Sequence, residues 1–246
     1  MSLGWLDPDW PVPLGIRALS TYRGGGASSG RFASLNLGDH VGDEPKAVAE
    51  NRARLAREAA LPSEPQWLAQ VHGVRVADLD AGPPLEPADA AFTRQQGRVC
   101  AILTADCLPV LFAAESAEIV GAAHAGWRGL AAGVLEATVR AMHVAPERML
   151  AWLGPAIGPE HFEVGGEVRE ALLAQDAGAH EAFRANSRGR FMANLELLAR
   201  RRLEALGISR IYGGGECTYS STDKYFSHRR DGNSGRQATL IWRNQR

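Results

Sequence analysis

The chain has few of the features that mark secreted, membrane-spanning or disulfide-linked proteins. It contains only three cysteines among 246 residues, an odd number with no paired spacing, so a disulfide framework is not expected. No run approaches the roughly 20 apolar residues of a transmembrane helix. Residues 1–11 carry Asp7 and Asp9 in place of the apolar core of a signal peptide. These absences predict a cytoplasmic protein that does not associate with membranes.

The sequence also lacks an excess of charge of either sign. Its 27 basic and 28 acidic residues give a net charge of −1, so no overall field favours nucleic acid as a partner. The three adjacent arginines at 200–202 are typical of the solvated face of a helix. No linker, low-complexity tract or clear repeat divides the chain. We therefore predict one domain over residues 1–246, and a monomer.

Short apolar runs and amphipathic segments alternate without a strict strand–helix rhythm. The apolar runs predict strands at 99–103, 110–113, 119–123, 150–153 and 238–242. The amphipathic segments predict helices at 45–59, 130–142, 168–173 and 191–206. This mixture favours an α+β fold, with mixed sheets and helices outside them, over a doubly wound parallel sheet.

Three side chains suited to metal binding stand at the ends of predicted elements or in turns. His72 lies next to a glycine, Cys107 stands where two apolar runs break, and His124 ends an apolar run before a glycine-bounded turn. One cysteine and two histidines suit Zn²⁺ and leave a fourth tetrahedral position open, as in catalytic zinc sites. The spacing is uninformative because no local C-x₂-C pair is present, and each residue also fits a purely structural role.

Two further interpretations follow from the same residues and from the first predicted helix. Cys107 and His124 would also suit a thiol hydrolase, as nucleophile and base, whereas Asp106 would point away from Cys107 in an extended segment. Arg52 falls on the apolar stripe of its helix, four residues after Val48. It therefore either faces an anionic substrate, forms a buried ion pair, or extends its charged end to water.

Eight short motifs together resemble one known family, in the order that the family shows. They are 34–38 (SLNLG), 40–43 (HVGD), 51–52 (NR), 70–73 (QVHG), 104–109 (TADCLP), 124–129 (HAGWRG), 153–159 (LGPAIGP) and 226–231 (FSHRRD). The family is the YfiH-type laccase domain, also called the multicopper polyphenol oxidoreductase or purine nucleoside phosphorylase family. The resemblance covers the chain from about Trp10 to Trp242.

The resemblance implies a fold, a cofactor and an activity. The fold would be a four-layer α/β/β/α sandwich of mixed sheets, with zinc on His72, Cys107 and His124. Copper would also bind such a ligand set in vitro. The activity would be that of a zinc-dependent purine nucleoside phosphorylase with adenosine deaminase and methylthioadenosine phosphorylase activity. Its partners would be a purine nucleoside and phosphate.

The resemblance also assigns roles to residues outside the metal ligands. Asn36 and Arg52 align with residues expected to contact substrate or phosphate. A group near the metal should move protons during the reaction, and the candidates are His40, which would also contact substrate, and Asp106. Together with His72, Cys107 and His124, Asp106 completes the predicted catalytic set.

Two alternative activities stay open at this point. The older description of the family is a copper-dependent polyphenol oxidase, a laccase. Multicopper oxidases hold their copper ions with many histidines, largely in H-x-H pairs, whereas this chain has 7 histidines and no such pair. The second alternative is a Cys–His or zinc hydrolase acting on another metabolite, which would work without phosphate.

Overall fold

Strands and helices are interspersed along the whole chain. The computed structural model describes residues 2–244. The strands are β1 (Trp5–Leu6), β2 (Ile16–Thr21), β3 (Val76–Asp78), β4 (Ala90–Thr93), β5 (Val99–Thr104), β6 (Leu108–Ala114), β7 (Val120–Ala125), β8 (Met149–Leu153), β9 (Glu163–Val164), β10 (Phe183–Ala185), β11 (Phe191–Ala193), β12 (Arg210–Gly213) and β13 (Gln237–Arg243). The α-helices are α1 (Pro45–Glu58), α2 (Trp127–Ala132), α3 (Val134–Met142), α4 (Gly166–Leu173), α5 (Leu195–Ala205) and α6 (His228–Asp231).

Two large sheets form the centre of the fold. The first has the order β1-β2-β13-β5 and is antiparallel throughout. The second has the order β12-β8-β6-β7-β4-β3 and is mixed, because only its two edge strands pair in parallel. A small antiparallel sheet, β10-β11-β9, lies apart from both. Within residues 2–244, no helix is long and apolar enough to cross a membrane.

The alternation of side chains along the strands shows how the layers are stacked. Cys100 and Ile102 of β5 pack between the two large sheets, whereas Ala101 and Leu103 pack on the opposite face with Leu55 of α1. Successive side chains of a strand point to opposite faces of its sheet, so the first sheet is covered by α1 on one side and by the second sheet on the other.

Strand β6 shows the same alternation in the second sheet. Leu111 faces the first sheet, while Val110 and Phe112 pack against the outer helices, with Leu135 of α3 and Leu198 of α5. The layer order is therefore helix, sheet, sheet, helix. This confirms the α+β sandwich that the sequence predicted.

Two predicted helices have different bounds in the structure. Residues 191–193 of the helix predicted at 191–206 form β11, and α5 begins only after Asn194, whose side chain accepts a hydrogen bond from the Leu197 N–H at 3.0 Å. This cap starts the helix and frees the preceding residues to pair as a strand. The helix predicted at 130–142 is two helices, because Gly133 adopts a left-handed φ of +97°.

Candidate metal centre and its cleft

His72, Cys107 and His124 meet at one end of the second sheet. Cys107 directly precedes β6, and His124 in β7 pairs with Pro109 of β6. The ligand atoms of the three side chains lie within 4.8 Å of one another. Cys107 Sγ is 3.8 Å from His72 Nε2, and the two imidazole rings meet edge to face with centroids 4.7 Å apart. The three side chains can therefore share one metal ion.

A buried carboxylate, Asp89, organises two of these side chains. It accepts hydrogen bonds from the backbone N–H groups of Val71 at 3.1 Å, His72 at 2.8 Å and Gly73 at 2.7 Å. His72 adopts an unusual left-handed φ of +62° within this turn. Three donors converging on one carboxylate hold the turn in that conformation, so Asp89 presents His72 to the metal site.

Asp89 also fixes the orientation of His124. Its Oδ1 lies 2.8 Å from His124 Nδ1, so this nitrogen carries the proton and donates to the carboxylate, which leaves Nε2 as the ligand atom. Burial raises the pKa of Asp89, but the hydrogen bonds from His124 and from the backbone outweigh burial and lower it. Asp89 is thus a stable anion behind the imidazole.

Gly126 leaves the space in which the three ligand atoms converge. A Cβ at this position would lie 2.8 Å from Cδ2 of His72 and 3.0 Å from Sγ of Cys107. In a tetrahedral zinc site with bonds of about 2.3 Å to sulfur and about 2.0 Å to nitrogen, Sγ of Cys107 and Nε2 of His72 would lie about 3.5 Å apart. The observed separation of 3.8 Å is close to that value. The donor set and the space at Gly126 therefore both fit zinc.

Without a metal, Cys107 and His124 form a charged pair. Burial raises the pKa of the Cys107 thiol, but the charge and hydrogen bond of His124, with His72, outweigh burial and lower this pKa to about 6. Burial lowers the pKa of His124, but the Cys107 thiolate and Asp89 outweigh it and raise that pKa to about 9. At neutral pH the metal-free pair is therefore a thiolate and an imidazolium.

This pair predicts an unusual reactivity of Cys107 in metal-free protein. After treatment with a chelator, iodoacetamide should alkylate Cys107 at a rate that rises through about pH 6, because the thiolate is the nucleophile. Mass spectrometry of the labelled peptide measures the rate. Cys107→Ser protein, which keeps the partly buried Cys217, is the control. A rate that rises only near the ordinary thiol pKa of about 8.5 would contradict the charged pair.

A cleft of about 380 Å³ opens beside the three ligands. Its lining comprises His72, Cys107, His124, Gln70, Leu103, Thr104, Ala105, His40, Arg128, His228 and Arg236. The two arginines carry positive charge, and no carboxylate is among the lining residues within 2–244. A cleft with this lining favours an anionic ligand.

Arg236 is the cleft arginine with the most defined geometry. Its Nη1 donates to the carbonyls of Ser234 at 2.7 Å and Gly235 at 3.1 Å. Nε and Nη2 form no hydrogen bond with any residue in the described part of the chain, so they remain free for a ligand. The second arginine, Arg128, stacks over the Trp127 ring at 4.3 Å.

Asn36 was expected to contact substrate, but the structure places it beneath the cleft wall. Its side chain is fully buried. Oδ1 accepts hydrogen bonds from the N–H groups of Gly38 at 3.0 Å and Arg236 at 2.9 Å, and Nδ2 donates to Asp43 at 2.8 Å. These partners occupy the polar atoms, so Asn36 holds the backbone of Arg236, and its contact with substrate stays a prediction.

Arg52 likewise does not line the cleft. It does lie on the buried face of α1, with a side chain 17% exposed, but its Nε and Nη2 both donate to the Leu37 carbonyl, at 3.0 and 2.8 Å. Nη2 also lies 3.4 Å from Asp39, and the guanidinium stacks on Trp67 at 4.4 Å. Its partners are groups of the protein, and it anchors the segment that carries His40 into the cleft.

These contacts predict a structural effect for Arg52. Arg52→Ala should lower the free energy of unfolding by about 2–3 kcal/mol, because two hydrogen bonds and a cation–π contact are lost together. Urea denaturation measures the change. Arg57→Ala, at an exposed position of the same helix, is the matched control and should cost less than about 0.5 kcal/mol. Equal stabilities of the two variants would show that the Arg52 contacts carry no net free energy.

Asp106, predicted as a catalytic proton shuttle, is held by two hydrogen bonds. Oδ1 accepts the Thr218 hydroxyl at 2.6 Å and Oδ2 accepts the Arg229 N–H at 2.6 Å. Both oxygens are therefore engaged, and the carboxylate is not in the cleft lining. His40, the other candidate, does line the cleft, with its Nδ1 3.5 Å from Asp39.

Sequence reasoning missed Asp89, Arg128, His228 and Arg236. Asp89 had a usable signal, because it is an acidic residue directly before the fully apolar start of β4. Arg236 had none. It reaches the cleft because the adjacent residue Gln237 pairs with Thr104 across the two strands β13 and β5, far apart in sequence.

Comparisons with known proteins identify relatives over nearly the whole chain. A family model described as multi-copper polyphenol oxidoreductase laccase matches residues 17–244. The chain is 54% identical to a purine nucleoside phosphorylase of Pseudomonas aeruginosa, over 97% of this chain and 98% of that one. It is 52% identical to the purine nucleoside phosphorylase YfiH of Escherichia coli, over 96% and 97%.

Solved structures show the same fold. A crystal structure of a Neisseria meningitidis protein superposes with a TM-score of 0.94 at 45% identity, covering 98% of this chain and 99% of that one. The crystal structure of YlmD from Geobacillus stearothermophilus gives a TM-score of 0.88 at 36% identity, covering 98% and 97%.

Proposed function

Because the chain belongs to the multi-copper polyphenol oxidoreductase laccase family, we propose that it is a zinc-dependent purine nucleoside phosphorylase within it. The observation that carries the proposal is a cationic cleft directly beside a Cys–His₂ ligand set. Phosphorolysis needs an anion site next to a group that stabilises charge on the nucleoside. Relatives named purine nucleoside phosphorylase, at more than half identity, support the same activity.

Each cleft residue then has a role. His72, Cys107 and His124 would hold zinc, which when bound supplies a Lewis acid and lowers the pKa of a bound water. The free Nε and Nη2 of Arg236 form a planar fork that suits two phosphate oxygens. Arg128 adds positive charge to the same cleft. His40, which lines the cleft, would be the side chain that moves a proton.

The same cleft would serve two further reactions. Adenosine deamination needs a metal-activated water, and the three-ligand set leaves one coordination position for it. Methylthioadenosine phosphorolysis would use the same phosphate site, and its nucleoside differs from adenosine only in the 5′ substituent. We propose both as secondary activities of this one site, in a cytoplasmic enzyme.

A thiol hydrolase is the second candidate, and one observation favours it. Asp89, His124 and Cys107 form a relay in which Asp89 orients His124 at 2.8 Å and His124 faces the Cys107 sulfur. A nucleophile, a base and an orienting carboxylate are the parts of a Cys–His–Asp triad. This chemistry would proceed without metal and without phosphate.

A laccase activity lacks the ligands that it needs. Multicopper oxidation requires several copper sites, whereas the described residues contain one group of three metal-ligating side chains. The remaining histidines do not add a second group. Copper bound to the Cys–His₂ set in vitro would therefore be a substitute for zinc.

Product analysis tests the proposal directly. Protein purified without added metal, with its metal content measured, is incubated with adenosine, inosine or methylthioadenosine, with and without phosphate. We expect about one zinc per chain and phosphate-dependent release of the free base with a sugar 1-phosphate, read by chromatography. Turnover that needs neither zinc nor phosphate would contradict the phosphorylase and favour the thiol hydrolase.

A further inference from the structure

We propose that Asp106 is a positioning residue, which ties the turn that carries Cys107 to the segment that carries His228. The contacts of its carboxylate, described above, give it this structural task. It joins the turn at 106 to Arg229, more than a hundred residues along the chain, and Cys107 beside Asp106 and His228 beside Arg229 both line the cleft. The kinetic part of the test rests on the proposed phosphorylase function.

The backbone of Asp106 makes the turn between the two sheets. It adopts a left-handed φ of +89°, which is rare outside glycine, between the end of β5 and the start of β6. Its carbonyl accepts the Ile157 N–H at 2.9 Å. In this conformation the carboxylate contacts Thr218 and Arg229, while the next residue, Cys107, lines the cleft. Strain of this kind persists only where surrounding contacts hold it.

One of the two contacts of the carboxylate is with a segment that has little stability of its own. Arg229 is the second residue of α6, which has only four residues and cannot form alone. Ser227 caps the same turn by accepting the Arg230 N–H at 3.2 Å. Asp106 therefore supplies one of the hydrogen bonds that fix α6, and His228, its first residue, lines the cleft.

The second contact of the carboxylate, with Thr218, also leads to α6. Thr218 Oγ1 donates to Asp106 Oδ1, and the Thr218 carbonyl accepts from Arg230 Nη1 at 2.8 Å. The Arg230 side chain also reaches the carbonyls of Tyr219 at 2.8 Å and Tyr225 at 2.9 Å. Asp106, Thr218 and Arg230 thus form one hydrogen-bonded unit. Loss of the carboxylate should release α6 from the Cys107 turn.

Asp106→Asn is the first test, because it keeps the size and removes one acceptor oxygen. In zinc-loaded protein we expect kcat/KM for nucleoside to fall roughly 10- to 100-fold, because small misplacements of cleft groups are costly. Thr218→Val should act in the same direction, and Thr218→Ser, which keeps the hydroxyl, should restore most of the loss. If Asp106→Asn does not fold, the two Thr218 variants carry the test.

Asp80→Asn is the matched control. Asp80 also accepts a threonine hydroxyl, from Thr93 at 2.5 Å, and a backbone N–H, from Arg94 at 3.0 Å, but it does not line the cleft. Both aspartate variants should lose stability in urea. Only Asp106→Asn should lose kcat/KM, so a loss shared by both variants would reduce Asp106 to an ordinary structural residue and overturn the proposal.

A second readout does not depend on turnover. In protein loaded with Co²⁺ in place of zinc, the thiolate-to-cobalt absorption reports the geometry at Cys107. We expect this band to shift in Asp106→Asn and to stay unchanged in Asp80→Asn. If wild-type protein shows no phosphorolysis, the proposed function fails, while the shifted band still supports the positioning role. A wild-type band in Asp106→Asn, with kinetic constants also unchanged where turnover is present, overturns it.

Discussion

Replacing Cys107 with alanine is expected to abolish both stoichiometric zinc and nucleoside turnover while the chain still folds. Cys107 supplies the only anionic ligand of the three, and its sulfur faces both imidazoles in a space kept open by Gly126. The loss of zinc affinity should exceed the about 10- to 100-fold that is typical of changes behind a metal ligand. Zinc per chain by atomic emission and phosphorolysis by chromatography measure the two effects.

The matched control is Cys217→Ala. Cys217 is also a partly buried free thiol, but its sulfur accepts a hydrogen bond from the Gly158 N–H at 3.2 Å and is not one of the three converging ligands. It should keep full zinc and activity. Zinc retained at one per chain in Cys107→Ala protein would refute the metal centre, and turnover retained without zinc would refute both candidate functions of the cysteine.

Replacing Asp89 with asparagine is expected to damage the metal centre without touching a ligand. The amide removes the negative charge that His124 Nδ1 faces and one acceptor of the Val71–Gly73 turn. Zinc affinity should fall about 10- to 100-fold. The free energy of unfolding of the metal-free protein should fall by about 3 kcal/mol, because buried donors lose their acceptor.

Asp78→Asn provides the comparison for Asp89. Asp78 is exposed and accepts a single backbone N–H, from Asp80 at 2.9 Å, at the start of a short 3₁₀ turn. Its replacement should change stability by less than about 1 kcal/mol and leave zinc affinity unchanged. Competition with a chromophoric zinc chelator measures affinity, and urea denaturation measures stability. An Asp89→Asn protein that binds zinc as tightly as wild type would show that other contacts orient the imidazoles.

Local pattern was sufficient where a residue's environment depends on its neighbours in sequence. The apolar runs that predicted strands at 99–103 and 150–153 form β5 and β8 with bounds differing by one residue. The stripe on the first helix placed Arg52 on the buried face, where it lies. The pattern did not reveal its partner, because the Leu37 carbonyl reaches Arg52 only through the path of the preceding loop.

Asp106 and Asp89 show more clearly what the sequence alone does not predict. Asp106 stands beside a predicted ligand in sequence, which makes it a candidate for proton transfer, and the structure adds that its carboxylate accepts hydrogen bonds from Thr218 and Arg229. Asp89 stands far from every predicted ligand in sequence and contacts two of them. Proximity along the chain does not determine which way a side chain points at a turn.

The sequence by itself predicted the α+β fold class and, through the family's motifs, the three side chains that can bind a metal. Both predictions depend on residue types and on the period of apolar residues, which can be read from short segments of the chain. Only the tertiary structure decided which charged residues line the cleft, because Arg236 and His228 arrive from the far end of the chain through the pairing of β13 with β5 and the contacts of α6. Contacts between distant segments depend on the packing of the whole chain, and no local window contains them.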